Sequence, residues 1–490
     1  MMEQLPALQV VLPLIAAPLV VLLRRPNIAW FVAVAASWAS LAIALLLFDH
    51  VGQHGVISYA MGSWPAPWGI EYRVDRLNAF VLVLVAGLAA IVAPYSLRSS
   101  AAEVPAEQLY LYYALYLLCL AGLLGIVITG DAFNLFVFME ISSLSMYVLI
   151  ALGRSRRAQL AAYQYLIMGT LGATFYVIGV GMLYLMTGTL NIADLAQRVP
   201  EIAGTRAVYA ALAFVTAGIS LKLALFPLHF WLPNAYAYAP SAMAAFIAAT
   251  ATKVSVYVLL RYFFFVFGDA VRAGGPELSG ILMALAAVGL VAASLVACYQ
   301  GDLKRMFAFS SVAQIGYIIL GISFANREGL TAAVAHLFNH GITKGALFLL
   351  LGMVALRAGG TDFRAVNGLA RRMPLTSMGI VLAGFSLIGV PGTAGFITKW
   401  YLVLGALALE SMALVALIVG SSLIAVVYVW RFVEAAYLRE PAADAPGSEA
   451  PLSMLIPAWL LVAACIWFGF DTSFNVGAAD VAARLMLRQP

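Results

Sequence analysis

The stretch Gly130-Asp131-Ala132-Phe133-Asn134-Leu135-Phe136-Val137-Phe138-Met139-Glu140 sets an acid inside a run of apolar side chains. Parts of it recur 171 positions later as Gly301-Asp302, Phe307 and Phe309. At the same offset Ala161-Ala162, Leu166 and Gly181-Met182 recur as Ala332-Ala333, Leu337 and Gly352-Met353. One such match is easily chance; several at one constant offset mark a duplicated unit. The unit contains five apolar runs. An odd number predicts two copies that enter a bilayer in opposite senses, a pattern found in transporters. The expected bounds are 109–268 for the first copy and 276–438 for the second. Three spans with a hairpin-like loop precede them over 1–108, and a last span with a tail follows over 451–490.

The chain as a whole has the composition of a membrane protein. Hydrophobic residues make up 64% of it and charged residues 10%, against about 25% charged in soluble domains. Runs of about 20 apolar residues, enough to cross roughly 30 Å of hydrocarbon, recur along nearly its whole length. Counting them predicts an all-α polytopic protein of about fourteen spans. Their centres lie near Leu14, Ala39, Ala86, Leu118, Ser142, Ala173, Leu221, Ser255, Val288, Gln314, Ala346, Gly389, Leu423 and Leu461. The basic pair Arg24-Arg25 follows the first apolar run rather than preceding it, so a cleaved secretory signal is not expected.

Alternate loops hold most of the arginines. Arg24, Arg25, Arg98, Arg154, Arg156, Arg157, Arg357, Arg364, Arg371, Arg372 and Arg439, with Lys304 and Arg305, fall in one set. That set is expected in the cytoplasm, which puts both termini outside a bacterial-type inner membrane. The net charge of +5 is therefore a topology signal, and no basic patch mixed with exposed aromatics points to nucleic acid. Between the second and third spans, Trp64-Pro65-Ala66-Pro67-Trp68-Gly69 reads as the turn of a small external hairpin. Residues 441–450 read as a flexible linker. Cys119, Cys298 and Cys465 are scattered and read as small buried hydrophobes.

Each copy contains an interrupted apolar segment. One is Leu221-Lys222-Leu223-Ala224-Leu225-Phe226-Pro227, the other Ile388-Gly389-Val390-Pro391-Gly392-Thr393-Ala394-Gly395. A proline such as Pro227 or Pro391 removes a backbone hydrogen bond and clashes with the preceding turn. At membrane depth such breaks are tolerated where they are buried or line a cavity. A simple kink is the alternative, but breaks in both copies favour a cavity.

Lysine usage is the most specific clue. There are five lysines, and Lys222, Lys253, Lys344 and Lys399 fall inside apolar runs, while Lys304 lies in a basic loop. A charge at mid-span costs about 2.5–3.5 kcal/mol on insertion scales. Arginine keeps its proton in proteins, whereas buried lysine shifts its proton affinity readily. Lysine inside and arginine in the loops therefore suits a proton relay; snorkelling near span ends is the alternative for one or two of them. The acid Glu140 needs a cationic partner, and Lys222 is the candidate. At ~4 Å and an effective dielectric of ~20 the pair gains about 4 kcal/mol. Making and breaking it would switch the proton affinity of Lys222; a static ion pair is the alternative.

His336, His340 and Lys344 follow at i, i+4 and i+8 on one helical face, over roughly 12 Å, widened by Asn339 and Thr343. Histidine titrates near neutrality and passes protons. A zinc site is the other reading of His-x-x-x-His, but Leu337 stands where a zinc protease has glutamate and no third ligand is evident, so no metal is expected. His229, after Pro227, lines the cavity or ends a helix.

These residues resemble a family. The run from Gly130 to Glu140 is similar to the glutamate-bearing fifth helix of the proton-pumping membrane subunits of respiratory complex I and their antiporter relatives. Lys222 with Phe226-Pro227-Leu228-His229-Phe230-Trp231-Leu232-Pro233 resembles their broken seventh helix. Ala239-Pro240-Ser241 through Thr252-Lys253 resembles the eighth, His336 to Lys344 the eleventh, and Pro391 to Lys399 the broken twelfth. The resemblance covers essentially the whole chain. It implies fourteen helices with an inverted five-helix repeat, and a hydrophilic axis through Glu140–Lys222, Lys253, the histidine stripe and Lys399.

Within the family, the length and the loop from Met61 to Leu77 look most like the D-type subunit of Mrp-type multisubunit sodium/proton antiporters. A complex I-like or membrane-bound hydrogenase subunit stays open. The implied partners are other membrane subunits, protons, sodium and the lipid bilayer. No nucleotide, flavin or iron–sulfur motif is present, so neither redox chemistry nor a cofactor is expected of the chain itself. A stand-alone transporter would need its own cation site, and only one central acid is evident.

Overall fold

The computed structural model describes residues 2–268, 275–441 and 448–489. Several of its helices begin at a side-chain oxygen that accepts from the orphan amides of the first turn. After α1 (Leu5–Leu23) and α2 (Pro26–His54) the chain forms a two-stranded antiparallel hairpin, β1 (Ile57–Ala60) and β2 (Glu71–Val74), with Ile57 opposite Val74. Asp75 then caps α3 (Arg76–Glu103), accepting from the amides of Leu77 and Asn78. The helices α4 (Leu109–Ile128), α5 (Ala132–Ala151), α6 (Arg156–Thr187), the short α7 (Ile192–Arg198) and α8 (Arg206–Leu223) follow. Next come α9 (Trp231–Tyr238), α10 (Ser241–Leu260, extended by a wider turn to Val266), α11 (Gly275–Cys298), α12 (Leu303–Ser323) and α13 (Arg327–Ala358). The chain closes with α14 (Pro374–Ile388), α15 (Ala394–Ala408), α16 (Met412–Val433), α17 (Leu452–Phe470) and α18 (Asn475–Leu487).

Among the described residues thirteen helices are long and apolar enough to cross a membrane. α14 and α15, at 15 residues each, are too short singly. They meet head to tail around Gly389, the twelfth expected centre, and together make one interrupted crossing. Each of the other expected centres lies within one of the thirteen.

Several local features recur at the same offset of 171 positions. Asp131 caps α5 through the Asn134 amide, and Asp302 caps α12 through the Arg305 amide. Asp131 bridges to Asn191, and Asp302 to Asp362. The helices α6 and α13 are each 32 residues long and start 171 positions apart. Each ends on a glycine in the left-handed region, Gly188 at φ 72° and Gly359 at φ 77°, a conformation that costs glycine nothing. Both α10 and α16 end in a π-helical turn, over Arg261–Val266 and Glu434–Leu438.

α4, α10, α12 and α13 form the interior: their most apolar segments are 83%, 94%, 94% and 83% buried, against 28% for α16 and 39% for α6. The peripheral helices expose Leu22, Trp38, Leu185, Leu423 and Ile456, an apolar belt fit for lipid or for another apolar subunit. The tail after α17 folds back as α18, whose Asn475, Ala479, Ala482 and Ala483 are buried. Of the expected linker over 441–450, residues 442–447 lie outside the described residues. Next to them Glu449 sits at the start of α14, accepting from Leu375 N, Thr376 N and Thr376 Oγ1.

One expectation is corrected. The charge pattern places Lys304 in a basic loop, yet it is 6% exposed in the first turn of α12 and donates to Ser241 Oγ at 2.9 Å. The Asp302 cap starts the helix before the lysine, and Glu103 on α3 binds the same hydroxyl at 2.6 Å. That polar cluster offsets the burial of the ammonium.

Candidate functional site

The two interrupted helices decide where the interior cations sit. α8 stops at Leu223 because Ala224 adopts a left-handed conformation, φ 60°. A helix that ends inside a protein leaves carbonyls without partners. Trp231 Nε1 donates to the Leu221 carbonyl at 3.0 Å, so α9 repairs part of the break. Lys222 lies in the last turn of α8, where a positive charge is favoured by the helix dipole. In the second break α14 ends at Gly389, φ 87°. Lys399, on α15, reaches back to the carbonyls of Leu387 at 3.2 Å and Ile388 at 2.7 Å. Each break therefore joins a lysine to a helix C-terminus.

Glu140 and Lys222 meet across α5 and α8 at 3.5 Å. The shorter contact of Lys222 is to a neutral group, Ser143 Oγ at 2.8 Å. Glu140 keeps 24% of its side chain exposed, whereas Lys222 keeps 6%. The ammonium is thus shared between a hydroxyl and a half-open carboxylate rather than locked in a short ion pair. A cavity of about 20 Å³ touches Lys222, Ser142, Ser143, Tyr165, Ala251 and Ser255. That is room for about one water molecule, on the α10 side of Lys222.

α10 carries Lys253, 1% exposed, with its Nζ on the carbonyl of Ala248. Lys344, fully buried on α13, donates to the Phe307 carbonyl at 2.8 Å and to Ser310 Oγ at 2.5 Å on α12. The rings of His336 and His340 stack 5.5 Å apart and nearly parallel, as i, i+4 spacing requires. His336 Nδ1 shares a hydrogen bond with Thr398 Oγ1 at 2.8 Å, which ties the stripe to α15 one residue before Lys399. Lys399 donates to Ser422 Oγ at 2.9 Å and lies 4.5 Å from the centre of the Tyr317 ring. None of the four interior lysines is more than 7% exposed, so none snorkels. His229 lies in the first break, stacked between Phe226 and Phe230, with Nδ1 buried and without a protein partner among the described residues.

The seven expected titratable residues thus lie on α5, α8, α10, α13 and α15. The groups that hold them were harder to read. Ser143, Ser310, Thr398 and Ser422 are each the direct partner of one of these cations or imidazoles. Hydroxyls are common in membrane spans and usually bond their own helix; Thr398 also does so, to the Gly395 carbonyl. Only a known helix neighbourhood would single these four out.

A bundle of this kind, with broken helices and lysines buried mid-span, defines a polytopic antiporter-like membrane subunit. Residues 129–425 match the family described as NADH:quinone oxidoreductase/Mrp antiporter, TM. The chain belongs to that family. It is 45% identical to the N subunit of NADH-quinone oxidoreductase from Desulforudis audaxviator over 94% of each chain. It is 29% identical to the D subunit of the Na(+)/H(+) antiporter of Alkalihalophilus pseudofirmus, over 88% of this chain and 86% of that one. Among solved structures it is similar to a chain of the Mrp complex from a Dietzia species, with a TM-score of 0.90, 26% identity and coverage of 99% and 97%. A chain of the archaeal membrane-bound sulfane sulfur reductase matches at a TM-score of 0.90 and 31% identity, over 99% of both. These likenesses support a place among the D-type Mrp members of the family.

Proposed function

We propose that the chain is the proton-translocating membrane subunit of a multisubunit monovalent cation/proton antiporter, with sodium as the cation. The observation that carries this reading is the way the interior lysines are held. Lys253, Lys344 and Lys399 are met by carbonyls and hydroxyls, and Lys222 by a serine hydroxyl closer than its carboxylate. A structural ion pair needs its counter-charge. A group that gives up and regains a proton is better served by neutral partners, which tolerate both forms. Protons would pass from Glu140–Lys222 through Lys253 and the His336–His340–Lys344 stripe to Lys399. Both nitrogens of His340 are buried without a protein partner among the described residues, which fits an imidazole that exchanges protons with transient water.

The likeness to whole assemblies supports a complex with other membrane subunits. The inverted orientation of the two copies, 109–268 and 276–438, and both termini on the outer face belong to the same proposal. A second reading is a proton-pumping subunit of a complex I-like or hydrogenase-type assembly. It is favoured by the relative named for NADH-quinone oxidoreductase.

The test uses the complete complex purified with this chain and reconstituted in vesicles. Sodium-driven proton movement without any electron donor is the expected result. Proton movement that starts only when a reductant and an acceptor are supplied would replace the antiporter reading with the second one.

A further inference from the structure

The basic loop that joins α5 to α6 borders a cavity that the proposed proton path does not use. The cavity holds about 240 Å³ between the end of α3, residues 153–155, the end of α9 and the start of α12. Its wall includes Glu103, Arg154, Ser155, Tyr238 and Lys304. Gly153 brings the loop against α9: a Cβ there would lie 2.8 Å from the carbonyl oxygen of Tyr238.

The charges of this wall are unevenly satisfied. Lys304 is buried, and of the three donors of an ammonium Ser241 Oγ engages one, at 2.9 Å. Glu103 is held by serines: Ser99 Oγ at 3.0 Å, Ser241 N at 2.7 Å and Ser241 Oγ at 2.6 Å. The same Ser241 hydroxyl thus joins the two charges. Arg154 is exposed, and its side chain has no protein partner among the described residues. With Lys304 and Arg154 set against Glu103, the wall carries one net positive charge. Two more cations flank it at Tyr238: Arg157 lies 5.9 Å from the centre of its ring, and Arg305 donates to its hydroxyl at 3.4 Å.

An apolar stripe starts one turn beyond the loop. Leu160, Ile167 and Leu171 are exposed on α6 at i, i+7 and i+11, within about 20° of one line along the helix. From Leu160 to Leu171 the stripe runs about 16 Å, the depth of one leaflet of a hydrocarbon core roughly 30 Å thick. A basic cavity alone suits any small anion, and an apolar stripe alone suits any lipid or apolar subunit. Joined end to end, they suit a molecule with an anionic head and an apolar tail of that length.

We propose that this cavity binds the phosphodiester of an anionic phospholipid, whose acyl chain lies along the α6 stripe. A phosphodiester carries one negative charge, which matches the net charge of the wall. Lys304 and Arg154 donate charge-assisted hydrogen bonds to its oxygens. Basic pockets beside membrane helices take anionic headgroups in this way. Bound there, the lipid ties the α5–α6 loop to the first turn of α12. The inference is independent of what the lysine axis carries.

The test uses the complete complex, made in a host whose membrane contains phosphatidylglycerol and washed in mild detergent until only tightly held lipid remains. Mass spectrometry counts the phosphatidylglycerol retained per complex. Arg154→Glu gives the wall a net negative charge at an exposed position, so it should assemble normally and retain one lipid fewer than the unsubstituted complex. Arg25→Glu, in another basic loop, should retain the full number. The delipidated complex is then titrated with phosphatidylglycerol, phosphatidylcholine or inorganic phosphate, and its thermal unfolding is followed. Phosphatidylglycerol alone should raise the midpoint, and Arg154→Glu should need at least about tenfold more of it, the equivalent of one lost hydrogen bond between charged groups. A full lipid count in Arg154→Glu, or the same loss in Arg25→Glu, overturns the site. Equal stabilisation by phosphatidylcholine overturns it as well, and equal stabilisation by inorganic phosphate replaces the lipid with a free anion.

Discussion

At the scale of single residues, the question is whether the charge of Lys222 must come and go. Its nearest partner is Ser143 at 2.8 Å, and Glu140 stands back at 3.5 Å. In a static pair Lys222→Arg would keep the charge and keep Glu140 satisfied. In a relay the guanidinium cannot release its proton near neutral pH. The expected outcome is a folded, assembled complex with little or no sodium-driven pH change in vesicles; transport near the wild-type rate would make the pair structural. Glu140→Ala and Lys399→Ala are each expected to abolish coupled transport with membrane insertion intact, measured in the same vesicles with assembly checked by co-purification. Near-normal flux in either variant removes that residue from the path. Loss of the Ser143 hydroxyl removes a hydrogen bond to a charged group, worth about 1.5–3 kcal/mol.

At the scale of elements, the breaks depend on close backbone approach. A Cβ on Gly395 would lie 1.7 Å from the carbonyl oxygen of Ser386, so Gly395→Ala must push α15 away from α14. Strain of this kind costs about 1–3 kcal/mol, and thermal unfolding in detergent should register it. Gly420→Ala in α16 is the control, since nothing lies within 4 Å of a Cβ there; equal losses in both variants would show that the close approach is not the cause.

A second element, α18, is clamped to the start of α13. Arg327 pairs with Asp480 at 2.6 Å, and Arg484 pairs with the same carboxylate at 2.8 Å. The hydrogen bond from Arg327, followed by that from Arg484, holds the Asp480 carboxyl below its usual range. A depressed carboxylate contributes stability that is present above the unfolded value, about 3.9, and lost as pH falls through the folded one. Protease cleavage of the tail should therefore be insensitive to pH between about 5 and 8 and should rise below about 4. In Asp480→Asn that acid-induced rise should be absent, and a rise as large as in the parent chain would assign it to other groups.

At the scale of the whole molecule, the described interior carries one central carboxylate, Glu140, which is few oxygen ligands for a sodium path. The chain expressed alone is expected to insert stably and show no sodium/proton exchange. Robust exchange by the purified single chain would make it an independent transporter. Topology is checked by fusing a reporter active only in the cytoplasm to either terminus. Neither fusion should give signal if both ends are outside, and a strong signal at the C-terminus alone would mean that the number of crossings is not even.

The sequence by itself determined the class of fold, because crossing hydrocarbon demands long apolar runs and leaves few alternatives. It also carried the recurrence of residues at one offset of 171 positions, the two breaks close to Pro227 and Pro391, and the short set of interior cations, since a lysine in an apolar run stands out wherever it packs. What only the tertiary structure decided is who meets whom. That Lys222 bonds Ser143 before Glu140, that Thr398 holds His336, and that Lys304 is buried against Ser241 depend on neighbours 60 or more positions away. The pairing of Asp75 with Arg261 was equally invisible: an acid at a helix cap and an arginine near a span end each look ordinary alone. Apolar periodicity places a residue inside the membrane, but helix packing sets its azimuth and its partners. Those partners decide whether a buried charge is locked or free to move its proton.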